Sequence, residues 1–191
     1  MIEVMVVVAL IGVMSTVAAS RFGLLVRREW AVRDGARGIR NTLVLAAAEA
    51  RSHGTLVSVY LGSSDCTAGG ISEKYYSYEH GSVCTSVELP KNIYFGNSTG
   101  IGSGPISAAG EHGQGDGDGI ALPGNSVTFN AQGFVTVPLS TDQDAIYVYF
   151  REEGTGGDPR FARAITVSLL GRPSLYKWDI DGNEWDRIDR R

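Results

Sequence analysis

NTLVLAAAEARSHGTLVSVYL, residues 41–61, changes its periodicity once, and that change sets the fold class. Before the change, Leu43, Ala46, Ala47 and Ala50 continue a series begun at Ile39, spaced so that all share one helical face. Arg33, Arg37, Arg40 and Arg51 take polar positions, and Gly54 supplies a stop. After the glycine, LVSVYL (56–61) is β-branched and aromatic and reads as a strand.

Followed back toward the N-terminus, the helical pattern meets MIEVMVVVALIGVMSTVAAS (1–20). Val4 to Ser20 carry no charge, and Glu3 stands at the mouth of that run with no basic residue before it. Three readings compete. A cleaved secretory signal would use the small residues Thr16-Val17-Ala18-Ala19, but the basic n-region is missing. A buried core helix is usually shorter, and this run is apolar on every side. A retained membrane-spanning helix fits best, because Phe22 to Val26 extend the run past Arg21, whose side chain can snorkel. The helix then continues to about residue 53, roughly 80 Å at 1.5 Å per residue. Gly12, Gly23, Gly35 and Gly38 mark either close helix approach or places where the helix can bend.

Downstream, KYYSYE (74–79), VTF (127–129), FVTV (134–137), AIYVYF (145–150) and AITVSLL (164–170) read as further short strands separated by turn residues. One long helix followed only by strands predicts an α+β fold. Its first half spans a membrane and its second half packs on an antiparallel β-sheet. The expected division is 1–26 for the transmembrane and assembly half, 27–54 for the amphipathic half, and 55–191 for a β-rich domain. A Gly-rich exposed loop is expected at 96–124. Cys66 and Cys84 read as a disulfide in an oxidising compartment, the alternative being two free buried cysteines. His53, His80 and His112 are scattered and lack ligand spacing. A net charge of −4 gives no overall footprint for nucleic acid.

Ile2-Glu3-Val4-Met5 and the apolar run behind them resemble the start of a mature type IV pilin or pseudopilin. The resemblance implies the pilin fold, a leader removed by prepilin peptidase, and N-terminal methylation, with the leader and the first two mature residues preceding Met1. Residues 41–61 resemble the helix end and first strand of GspH/FimT-type minor pilins and pseudopilins. Those proteins commonly add a cysteine-bearing stretch, a "tF...G" strand and a closing strand ending in Gly-Arg. VTFNAQGFVTV (127–137) and ITVSLLGRPSLYKWD (165–179) are similar to the last two, with Gly171 and Arg172 as the subfamily motif. The likeness is good over 2–61 and moderate over 127–179, and 62–126 matches nothing nameable. It implies a single-pass inner-membrane subunit with a periplasmic domain, and partnership with other pilins through the N-terminal helix in a type IV pilus or type II secretion pseudopilus.

Glu3 aligns with the glutamate that, in this family, pairs with a neighbour's terminal amine. A carboxylate at the edge of a bilayer or helix bundle is costly unless paired. The alternative leaves Glu3 solvated among headgroups. Arg21, Arg27, Arg28, Arg33, Arg37 and Arg40 read most simply as a polar helix face, the alternative being contact with acidic groups on adjacent subunits or on anionic lipid headgroups. Some relatives of this type bind DNA through C-terminal basic residues, for which Arg172, Lys177, Arg187, Arg190 and Arg191 are the candidates here. Asp179, Asp181, Glu184, Asp186 and Asp189 interleave with them, so DNA is not the expected partner. DGDG (116–119) and DIDGNEWD (179–186) invite a calcium reading through Asp179, Asp181 and Asn183. The second lacks EF-hand spacing and its terminal glutamate, so a solvated turn is expected, with no metal or other cofactor. No nucleophile–base constellation or phosphate-binding glycine loop stands out, and the expectation is a non-enzyme.

Overall fold

The computed structural model describes residues 2–70, 72–96, 101, 119–136, 145–152 and 157–188; the side chains of 2–4, 8–10, 13, 15–22 and 123 lie outside that description. The helix, α1, runs unbroken from Ile2–His53. Val32, Ala36, Ile39, Leu43, Ala46, Ala47 and Ala50 form its buried stripe, following the three-and-four spacing of the sequence. It ends where Gly54, at φ 65°, donates its N–H to the Ala50 carbonyl at 3.0 Å.

Two antiparallel sheets flank that stripe, where the sequence suggests one. The first takes β1 (Val57–Leu61), β2 (Tyr75–His80), β3 (Val83–Glu88) and β5 (Ser126–Phe129), in the order β3-β2-β1-β5. The second takes β4 (Ile93–Phe95), β6 (Ala145–Phe150), β7 (Asp158–Val167), β8 (Pro173–Asp179) and β9 (Glu184–Arg187), in the order β4-β6-β7-β8-β9. One core joins them to α1: Val57, Val59 and Leu61 from β1, Val127 and Phe129 from β5, and Ile146, Val148, Ile165 and Leu175 from the second sheet. The opposite face of the second sheet is covered too, by Tyr147, Ala162, Ala164, Trp178 and Trp185, which explains why β6 and most of β7 are buried on both sides. An Arg151–Glu73 ion pair ties the end of β6 to the approach to β2.

Close packing explains two of the four helix glycines. A Cβ on Gly35 would stand 3.2 Å from Ile93 Cγ2, and one on Gly38 would stand 3.3 Å from the Tyr76 hydroxyl. A Cβ built on Gly12 or Gly23 would meet no atom within 4 Å among the described residues, the helix's own backbone aside.

Two further sequence expectations change. FVTV forms a single bridge, Phe129↔Val135, rather than a strand over its described residues, because Val135 N–H donates to Leu169 and Thr136 N–H to Thr128. The segment therefore stitches the first sheet to the β7–β8 turn. AITVSLL leaves its strand at Val167, and Gly171-Arg172 lies within the turn, where Ser168 N–H donates to the Arg172 carbonyl and Gly171 N–H to Ser168. Chain continues past this pair into β8 and β9. Of the expected Gly-rich loop, residues 97–100 and 102–118 lie outside the described residues.

Candidate functional site

Three regions hold most of the residues singled out by sequence. The first is the N-terminal half of α1. Glu3 lies outside the described side chains, but Met5, Val6, Val7, Ile11 and Met14 are 52–73% exposed, and Leu24, Leu25 and Val26 are exposed as well. The buried stripe begins only at Val32 among the described residues. Among those residues no helix is long and apolar enough to cross a membrane. Most side chains of the 4–20 run fall outside them.

The second region is the Cys66–Cys84 disulfide, with Cα atoms 5.9 Å apart. It fastens the β1–β2 connection to β3. Cys66 sits at φ 57°, and its N–H donates to the buried Ser77 hydroxyl at 3.1 Å. Asp65, held below the usual carboxylate range by the Thr67 and Ser63 hydroxyls, completes a hydrogen-bonded turn beside it.

The third region is a basic flank where α1 crosses β7 and β8. Glu29 on α1 accepts from Arg163 Nη2 at 3.1 Å and meets Lys177 Nζ at 3.5 Å. Arg163 is only 2% exposed, and its Nη1 donates to the Ala162 carbonyl. Burial pushes its guanidinium below the ordinary arginine value; Glu29 opposes that shift and nearby Arg33 adds to it. The hollow there, about 480 Å³, is walled by Arg33, Arg37, Arg40, Arg163 and Lys177, with Glu29 the one acid lining it among the described residues. A neighbouring hollow of about 390 Å³ shares Arg40 and adds Arg51, Arg172 and Arg187, with no acid lining it among the described residues.

Three of the C-terminal basic candidates thus gather with helix arginines: Arg172 and Arg187 in one hollow, Lys177 in the other. Arg190 and Arg191 lie outside the described residues, as does Asp189. The acids that alternate with them in sequence partly separate in space. Asp179, Asp181 and Glu184 occupy the β8–β9 turn, whereas Asp186 stands opposite Lys177 in the strand register. The helix arginines are also more than a solvated face. Arg28 pairs with Glu152 and stacks 4.9 Å from the Phe150 ring, and Arg51 Nε donates to the Gln132 carbonyl at 3.0 Å. Arg163 and Glu29 were not flagged by sequence. The signal was present in FARAITV, where one arginine interrupts an otherwise apolar strand.

At the calcium candidates, Asp181 N–H donates to Asp179 Oδ1 at 3.2 Å, and Asn183 takes φ 51° in a tight turn. No group of three or more His, Cys, Asp or Glu able to hold a metal occurs among the described residues. Residues 116–118 of DGDG lie outside them.

No protein-family model matches the chain, and no curated protein matches it. Two crystal structures of the type IV minor pilin FimU of Pseudomonas aeruginosa (strain PAO1) are similar to it. In one crystal form the TM-score is 0.42 at 14% identity, over 75% of this chain and 87% of that one. In the other it is 0.40 at 17% identity, over 75% of this chain and 90% of that one.

Proposed function

We propose that this chain is a pilin-like minor subunit that co-assembles into, primes or caps a type IV pilus or a type II secretion pseudopilus. The observation that carries the reading is the division of one continuous helix. Its C-terminal half is the spine of a folded domain, while Met5, Val6, Val7, Ile11 and Met14 on its N-terminal half stay uncovered. Exposed apolar surface of that extent requires lipid or other subunits around it. Before assembly the inner membrane supplies the cover, with the domain in the periplasm; afterwards the helices of neighbouring subunits do. The disulfide is consistent with an oxidising compartment.

In this reading Glu3 is the assembly residue, pairing with the terminal amine of a neighbour once both helices leave water. Prepilin peptidase prepares the N-terminus for that contact. Glu3→Leu should leave membrane insertion intact and abolish incorporation into filaments, scored by immunodetection in sheared pili or pseudopili. Unchanged incorporation would remove the role. N-terminal sequencing of the mature protein separates this reading from a secreted β-rich binding domain: retention of the Glu3 segment supports the subunit, and loss of residues 1–19 supports the secreted form.

A further inference from the structure

The geometry points to a phosphate-type oxyanion site in the hollow between α1 and the β7–β8 pair, bound by Arg33, Arg37 and Lys177 above the buried charge of Arg163. Charge balance is the first ground. Among the described residues five cationic side chains wall the hollow, and the one carboxylate lining it, Glu29, is already shared between Arg163 and Lys177. Glu29 is itself 46% exposed, so water weakens its hold on the guanidinium beneath it. Arg163 is further under-compensated: its buried Nε has no hydrogen-bond partner among the described residues.

Shape and chemistry give the second ground. Arg33, Arg37 and Arg40 lie three and four residues apart on one helix face, opposite Lys177 on β8. Guanidinium forks and an ammonium converging from two sides suit a tetrahedral anion, whose acceptor oxygens point in several directions, better than a carboxylate, whose two oxygens lie in one plane. Leu175 and Ile188 line the same hollow and exclude part of the water that would otherwise screen the charges.

The oxyanion has two sources, free phosphate or a phospholipid headgroup. Trp30, 61% exposed, lies near the Arg33 guanidinium, whose carbon is 5.6 Å from the ring centroid. Exposed Leu24 to Val26 precede it, an order that suits a bilayer interface. None of the anion-binding residues belongs to the apolar half of α1, so the site stands or falls separately from the assembly role.

The test uses the full chain in a neutral detergent, titrated calorimetrically with inorganic phosphate and with dihexanoyl-phosphatidylglycerol below its micelle concentration. At least one probe should bind at one site. Arg37→Gln with Lys177→Gln should weaken that binding by about tenfold or more while the melting temperature holds. Glu29→Gln, which removes the competing carboxylate, should tighten it. Equal affinity for both probes assigns free phosphate; at least about tenfold preference for the lipid analogue assigns the headgroup. Absence of binding by either probe, or binding untouched by the double substitution, overturns the site. Binding of duplex DNA in preference to both probes overturns it too, in favour of a polymer-tracking surface.

Discussion

The turn after β7 holds Gly171 at φ +70°, with the Gly133 carbonyl oxygen standing where a Cβ would be built and Phe129 Cδ1 3.4 Å away. A methyl group there meets the left-handed penalty, about 1–2 kcal/mol, and a backbone collision as well. Gly171→Ala should therefore destabilise the domain by about 2–3 kcal/mol in urea denaturation. Gly23→Ala, with open space around it, should leave stability unchanged or raise it by about 0.5–1 kcal/mol. The two halves of the Gly-Arg motif so divide their work: Gly171 permits the turn, and Arg172 faces the neighbouring basic hollow. Arg163 shows what single-residue reading misses. Whether an arginine in a strand is buried depends on what faces it, and Glu29 lies 134 residues earlier in the chain.

Local pattern carried some elements and failed on others. The helix face from Ile39 to Ala50 and the strand after Gly54 could be read because their apolar periods are long or clean, whereas Val32 and Ala36 joined that face only in the structure. β3 escaped because Val83–Glu88 is an exposed edge with no buried face to leave a signature. β8 was legible only inside the Gly-Arg stretch 165–179, β9 begins inside a stretch that reads as a turn, and β4 has three residues. The split into two sheets is a matter of non-local pairing, which no period within a strand encodes. The cysteine pairing was legible, and its position makes a prediction about elements. Cys66 and Cys84 clip the outer edge β3 to the β1–β2 connection. Replacing both by serine should cost about 3 kcal/mol by the loop-entropy argument. Hydrogen exchange should then quicken across residues 62–88 well before it does in β6 and β7, whose strands are buried on both faces.

For the molecule as a whole, the core draws on α1 from Val32 onward among the described residues, and on both sheets. A chain beginning at Arg27 should accordingly fold by itself, and should unfold in one cooperative calorimetric transition with the Cys66–Cys84 bond intact. A broad, non-cooperative melt would show that the missing segment contributes to the domain after all. The unbroken helix has a further consequence, one of angular phase. The apolar half and the domain share a single hydrogen-bonded ladder from Ile2 to His53, so neither can be turned without the other. One residue inserted between Val26 and Val32 would swing the basic flank by about 100° around the helix axis while moving it only about 1.5 Å along it. The helix works as a keyed shaft, and the direction in which the domain looks out is written in the residue count between its two halves.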